Sequence, residues 1–142
     1  MQNFRDLEEA VSYQPSALSE GAAMQNFREL KVWSKAHAVA LAVYAVTEKF
    51  PAAERYGLTA QMRRAATSVP ANIAEGSVRA TDPDFARFLQ IALGSASELE
   101  YFALLARDLE LMPLTGYEPI VADIQEVKRM LTAFIARLRA DG

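Results

Sequence analysis

The sequence predicts an all-α protein, an antiparallel up-down-up-down four-helix bundle with a short N-terminal extension. Apolar residues recur every three or four positions in four stretches of about 20–28 residues, and short loops join these stretches. No stretch of useful length shows the alternating pattern of a β-strand. The chain has 142 residues, of which 51% are hydrophobic, enough for one domain with its own core.

The first helix is predicted over residues 29–50. Asn26 and Glu29 have the spacing of a capping box at its start, and Pro51 ends it. Residues 38–46 are apolar on every side of the helix, so we expect them to lie deep in a core or to contact another subunit. The helix itself is predicted from an apolar face with helical spacing, formed by Trp33, Ala36, Ala40, Val43, Tyr44, Thr47 and Phe50.

The second helix is predicted over residues 58–79 and contains a proline. Pro70 has no N–H to donate to the carbonyl of Ala66, which costs about 3 kcal/mol inside a regular helix. We therefore expect a kink or a break near residues 67–69. Gly76, near the helix end, is expected to permit close packing or to end the helix. The apolar face comprises Leu58, Met62, Ala65, Val69 and Ile73.

The third and fourth helices have recognisable starts. Asp82 is the predicted cap of the third helix, with Pro83 in its first turn. Thr115 and Glu118 have capping-box spacing at the start of the fourth. The apolar positions that support both helices include Phe85, Phe88, Leu89, Leu99, Ile120, Ile124, Val127, Leu131 and Phe134.

The composition excludes several classes of site. The chain has no cysteine, which removes disulfides, thiolate zinc sites and cysteine nucleophiles. Its one histidine, His37, excludes any site that needs two imidazoles from one chain. The longest apolar run, residues 38–46, is far shorter than the roughly 20 residues of a membrane span. We expect a soluble cytoplasmic protein that is not an enzyme and uses neither a metal nor a cofactor.

The charges divide the chain into parts. Residues 1–23 carry the whole net charge of -3, and residues 24–142 sum to zero. Within the latter, residues 55–79 have a charge of +3 and residues 82–110 a charge of -4. Segments of opposite sign are expected to face each other, either within a subunit or between subunits.

A short repeat marks a boundary near the N-terminus. Residues 1–7 recur as residues 24–30 with a single difference, Asp6 against Glu29. We therefore predict an N-terminal extension over residues 1–23, a short helix followed by a linker, and a bundle domain over residues 24–142. The extension lacks the apolar segment of a signal peptide. It is either an upstream addition or a duplicated arm.

A polar stripe runs along the second helix. Its members follow one another at helical spacing, and the third helix offers a polar patch of small residues and one acid. If these helices pack antiparallel, Glu98 is a natural partner for Arg63 or Arg64. The stripe comprises Arg64, Ser68, Asn72, Glu75 and Arg79, and the patch comprises Gly94, Ser95, Ser97 and Glu98.

Three interpretations of these residues stay open. A nucleic-acid surface would centre on Arg63, Arg64 and Arg79, since arginines grip phosphate bidentately. A catalytic carboxylate at Glu75 or Glu98 would lack a partner base, a metal set or a phosphate-binding loop. A buried network that fixes helix register predicts that Arg64→Ala lowers the melting temperature by several degrees. This network, the interpretation that we favour, comprises Arg63, Arg64, Ser68, Asn72, Glu75 and Glu98.

Several uncommon strings carry a family resemblance. Over about residues 24–138 the chain resembles the bacterial four helix bundle proteins, also called intervening-sequence proteins of 23S ribosomal RNA genes. The strings are Phe27-x-x-Leu30-x-Val32-Trp33, Tyr44-x-x-Thr47-x-x-Phe50-Pro51, Glu54-x-Tyr56-Gly57-Leu58, Gln61-x-Arg63-Arg64-Ala65-Ala66-x-Ser68, Asn72-Ile73-Ala74-Glu75-Gly76 and Phe88-Leu89-x-x-Ala92-x-Gly94-Ser95-x-x-Glu98-Leu99.

The resemblance implies an assembly rather than a reaction. Members of the family form ring-shaped homopentamers, and the related accessory variability determinants of diversity-generating retroelements bind a reverse transcriptase and nucleic acid. No catalytic residues are assigned to the family. We predict a non-enzymatic homo-oligomeric scaffold, with RNA, DNA or a nucleic-acid-associated protein as a further partner. An enzyme with Glu75 or Glu98 at a subunit interface is the alternative. The predicted interface residues are Trp33, Val39, Val43 and Tyr44.

Overall fold

A computed structural model describes residues 26–141, which form four α-helices and two short 3₁₀ turns. No strand occurs in that range, so the all-α prediction is confirmed. The predicted extension over residues 1–23 lies outside the described residues. The helices are α1 (Lys31–Thr47), α2 (Leu58–Gly76), α3 (Asp82–Asp108) and α4 (Leu114–Asp141), and the turns are Phe27–Glu29 and Ala52–Glu54.

The helices pack in the order of the chain. The helix α1 contacts α2 and α4, and α3 contacts the same two helices from the other side. Between α2 and α3, Arg64 pairs with Glu98 while Ser68, further along α2, meets Ser95, which comes earlier in α3. The two helices therefore run antiparallel, and the predicted up-down-up-down bundle is confirmed.

The predicted apolar faces form one continuous core. The side chains of Phe85 and Phe134 meet edge to face near the end of the bundle where α2 ends and α3 begins, with ring centroids 5.2 Å apart. Among the described residues, no helix combines the length and the apolar character that a membrane crossing requires. Other fully buried side chains are Met62, Ile73, Leu89, Leu99, Ile124, Leu131 and Leu138.

The start of α1 differs from the prediction. Asn26 caps the preceding 3₁₀ turn, because its Oδ1 accepts from the backbone N–H of Arg28 at 3.0 Å. Leu30 then has an extended backbone, so the α-helix begins at Lys31. At the other end, the N–H of Phe50 donates to the carbonyl of Thr47 at 3.0 Å, a spacing tighter than that of an α-helix. The helix consequently ends before Phe50.

The caps of the last two helices also differ. Thr81, rather than Asp82, caps α3, since its Oγ1 accepts from the N–H of Asp84 at 3.2 Å. The helix α4 begins at Leu114, so Thr115 lies inside its first turn instead of capping it. The cap of α3 thus lies one residue before the predicted cap, and α4 begins one residue before its predicted cap.

Of the kink or break predicted near residues 67–69, the break does not occur. The helix α2 is continuous from Leu58 to Gly76, and Pro70 is buried inside it. Because α2 packs against both α1 and α3, burial of its apolar face holds the helix together despite the missing hydrogen bond. The helix ends at Gly76, three residues before the predicted end.

Gly76 permits the close approach of α2 and α3. A Cβ atom placed on this glycine would lie 2.8 Å from the Cβ of Phe88 and 2.9 Å from the Cδ1 of Phe85. Both distances are shorter than real contacts of this kind. The prediction that Gly76 serves close packing is confirmed.

Ion pairs connect α4 to both of its neighbours. The Nζ of Lys128 on α4 donates to Glu100 on α3 at 2.8 Å, and this hydrogen bond holds the pKa of Glu100 below its ordinary value of 4.5. Lys35 on α1 lies 3.1 Å from Glu126. Burial by itself would lower the pKa of Lys35. The hydrogen bond to Glu126 and the nearby carboxylates together raise the pKa by more than burial lowers it, so the net shift is upward.

The Glu100–Lys128 pair should make stability depend on acid pH. A carboxyl whose pKa is lower in the folded state stabilises fully above its unfolded pKa and loses this contribution as pH falls through the folded pKa. We expect Glu100→Gln to cost about 0.5–1 kcal/mol at pH 7, and the difference from wild type to shrink as the pH drops below 4.5. Urea unfolding at pH 7 and pH 3 measures both values. A pH-independent cost would contradict this assignment.

Candidate functional site

The polar stripe joins α2 to α3 at two points. The Nη2 of Arg64 donates to the Oε2 of Glu98 at 2.8 Å, and its Nε donates to Gln61 at 3.1 Å. One turn further along, the hydroxyls of Ser68 and Ser95 lie 2.8 Å apart. The oppositely charged segments predicted from the sequence therefore face each other within one subunit.

Asn72 extends the second contact, whereas Glu75 does not take part in it. The Nδ2 of Asn72 donates to the carbonyl of Ser68 at 2.8 Å and to its hydroxyl at 3.1 Å. Glu75 pairs at 3.2 Å with Arg79, which follows the end of α2. Four of the six predicted network residues thus form contacts along the α2–α3 seam.

The Arg64–Glu98 pair lies at the surface of the subunit. The side chain of Arg64 is 52% exposed and that of Glu98 is 41% exposed. An exposed ion pair contributes at most about 1 kcal/mol, because water solvates both charges when they separate. The expectation of a buried network is wrong at this pair. The effect of Arg64→Ala on the melting temperature stays a prediction, and we expect a smaller loss than a buried pair would give.

Arg63 points to a different helix from Arg64. Its Nε donates to the Oγ1 of Thr47 at 2.8 Å, and its Nη2 lies 3.3 Å from Glu48 and 3.4 Å from the carbonyl of Tyr44. Its Cζ stands 4.5 Å from the centre of the Tyr44 ring. Thr47 in turn donates to the carbonyl of Val43 at 2.7 Å. Arg63 therefore ties α2 to the end of α1 and is separate from the α2–α3 contacts.

The three arginines of the predicted nucleic-acid surface do not form one patch on a subunit. Arg63 faces α1, Arg64 faces α3, and Arg79 follows the far end of α2, about 20 Å along the axis at 1.5 Å per residue. Each has a carboxylate partner within 3.3 Å. The three arginines therefore lie at three separate places on the subunit.

The two carboxylates of the catalytic alternative are both paired with arginine. Glu98 contacts Arg64, and Glu75 contacts Arg79. In the part of the chain that the structure describes, no three histidine, aspartate or glutamate side chains gather closely enough to hold a metal ion. No observation here places a second acid or base beside either carboxylate.

The predicted interface residues divide into two pairs. Val39 and Val43 are buried in the core of the subunit itself, so they present no surface to another copy. Trp33 is half-buried and Tyr44 is exposed. The apolar middle of α1 instead presents Leu41, whose exposed fraction is 59%.

Aromatic stacking accounts for the single histidine. His37 is exposed, and its ring stacks on Trp33 with centroids 4.9 Å apart and planes at 9°. Phe27 meets the indole edge to face at 4.9 Å. Trp33, on the predicted apolar face, thus packs against two aromatic rings and is half-buried at the start of α1.

A cleft of about 520 Å³ lies at the end of the bundle where α1 ends and α2 begins. Sequence reasoning missed it, because its residues come from a helix end, the 3₁₀ turn Ala52–Glu54 and a helix start. The one available signal was the grouping of Arg55, Tyr56 and Arg63 close to Pro51. The cleft is lined by Thr47, Glu48, Phe50, Pro51, Ala52, Arg55, Tyr56, Thr59 and Arg63.

The comparisons with known proteins agree with this fold. The family model for the 23S rRNA-intervening sequence protein matches residues 28–133. A crystal structure of a protein of unknown function from the S23 ribosomal protein family of Bacteroides thetaiotaomicron is similar, with 29% identity and a TM-score of 0.67. The match covers 73% of this chain and 97% of that one. No curated protein matches. The chain belongs to the 23S rRNA-intervening sequence protein family.

Proposed function

We propose that the protein is a non-enzymatic, homo-oligomeric scaffold that assembles into a ring, with five subunits as the expected number. The observation that carries this proposal is the uncovered apolar face of α1. Leu41 is exposed in the middle of that helix, with Ala38, Ala45 and Tyr44 exposed around it. Contact with a second copy would remove this apolar surface from water.

Two exposed apolar side chains on a second helix support a ring rather than a simple dimer. Ile91 and Tyr101 are exposed on α3, which lies diagonally across the bundle from α1. When two different surfaces of a subunit pair, the contact is heterologous, and repeating it closes a ring if the rotation allows. The number five rests on the resemblance to ring-forming bundles.

Light scattering coupled to size exclusion tests the assembly. We expect a mass close to five times the subunit mass of 15.7 kDa. Leu41→Asp should shift the protein towards the monomer, since a charge at the interface would lose its hydration. Leu114→Asp is the matched control, because Leu114 is 57% exposed but lies at the start of α4. A monomeric wild type at micromolar concentration, or equal masses for the two variants, would remove the proposal.

The scaffold's further partners rest on the resemblance. RNA, DNA or a nucleic-acid-associated protein stay candidate partners, and a ring would multiply a weak basic site on one subunit into a multivalent one. The enzyme alternative at Glu75 or Glu98 has no specific observation in its favour. Cytoplasmic location is likewise an expectation.

A further inference from the structure

We propose that the cleft between the end of α1 and the start of α2 binds a phosphorylated ligand that carries a planar ring, the chemistry of a nucleotide. This proposal concerns a single subunit and does not depend on assembly. The volume of about 520 Å³ falls within the range of roughly 300–1,000 Å³ that small-molecule sites occupy. The cleft is therefore large enough for both a phosphate and a ring.

The charge of the lining favours an anion. Arg55 and Arg63 stand against one acid, Glu48, which leaves a formal charge of +1. Arg55 has no ion-pair partner anywhere in residues 26–141, and Glu48 is 81% exposed, so its side chain is free to turn away when an anion enters. The start of α2 adds no further site for the anion, because the Oε1 of Glu54 accepts there from the backbone N–H of Leu58 at 3.2 Å.

Arg63 is already held in place for such a contact. The Oγ1 of Thr47 accepts from its Nε, and the Tyr44 ring lies under its guanidinium group. Within the described chain its Nη1 donates no hydrogen bond, which leaves two N–H groups for a ligand oxygen. Little side-chain freedom is lost when a fixed guanidinium binds phosphate, so binding is favoured.

Tyr56 supplies the surface for a planar ring. Its side chain is 89% exposed, and the Cζ of Arg55 lies 6.0 Å from the ring centre. An aromatic side chain that contributes nothing to the core is available to stack on a planar group. A ligand whose phosphate meets the two arginines could then place its ring against Tyr56.

Calorimetric titration with adenosine 5′-monophosphate tests the site. We expect Arg55→Ala to weaken binding at least tenfold without a change in the melting temperature, because Arg55 makes no ion pair in the described chain. Tyr56→Ala should weaken the nucleotide but leave inorganic phosphate unaffected, which separates the ring from the anion. Arg139→Ala is the matched control, an exposed arginine at the opposite end of the bundle.

The outcomes decide the proposal. Undetectable binding of the nucleotide to wild type at millimolar concentration overturns it, and so does equal binding to wild type and Arg55→Ala. Adenosine without phosphate should not bind. If a 5′-phosphorylated oligonucleotide binds as tightly as the mononucleotide, the ligand is the end of a nucleic-acid strand. If the oligonucleotide does not bind, the ligand is a free nucleotide. Both of these results support the same chemistry of phosphate and ring.

Discussion

Gly76→Ala should destabilise the bundle by about 1–3 kcal/mol, although alanine is the better helix former. The new Cβ would lie 2.8 Å from the Cβ of Phe88 and 2.9 Å from the Cδ1 of Phe85. The ring of Phe85 can turn by a few degrees, but the Cβ of Phe88 is fixed by the backbone of α3. The two helices would have to separate at this point, which loosens the core around them.

Gly94→Ala is the matched control for this change. Gly94 lies in the middle of α3, it is exposed, and no atom lies within 4 Å of a Cβ placed there. Here alanine should stabilise the protein by about 0.5–1 kcal/mol, since it restricts the unfolded chain without a clash. Urea unfolding at matched protein concentration gives both values. Stabilisation by Gly76→Ala would show that α2 and α3 adapt at no cost.

The periodic pattern predicted the four helices because each of them buries one face, and burial decides whether a helix forms. The helix ends were less predictable. Asn26, Asp82 and Thr115 each have a side chain that can cap a helix, but the start of each helix depends on the backbone conformation of the residues beside them, which the residue types alone do not specify. Pro70 shows the same dominance of packing, since a buried helix persisted through a residue that breaks exposed ones.

The site residues were predictable where two helices had to meet. Antiparallel packing of α2 on α3 was enough to suggest Arg64 and Glu98 as partners. Adjacent residues point about 100° apart around a helix, so the destination of Arg63 depended on the rotation of α2, which the sequence does not specify. The periodic pattern placed Val43 on the apolar face of α1, yet Val43 was also predicted at the interface, because the middle of this helix is apolar on every side.

Phe134→Ala should have the largest effect, a loss of about 3–5 kcal/mol in the free energy of unfolding. Phe134 is fully buried, and its ring meets Phe85 edge to face at 5.2 Å. Removing it takes away apolar contacts and leaves a cavity that helices held on both sides cannot fill. Phe85 would also lose its ring partner, at the point where it already approaches Gly76 closely.

Phe102→Ala provides the comparison, because it removes the same atoms from a half-buried position on α3 that packs against the core. Water fills most of the space that this change leaves, so we expect a loss of about 1–2 kcal/mol. A total stability of roughly 5–15 kcal/mol is usual for a domain, and Phe134→Ala alone would therefore remove at least about a fifth of it. Chemical unfolding of both variants measures the difference. Equal losses would mean that the core rearranges around position 134, and that the edge-to-face pair does not hold this end of the bundle together.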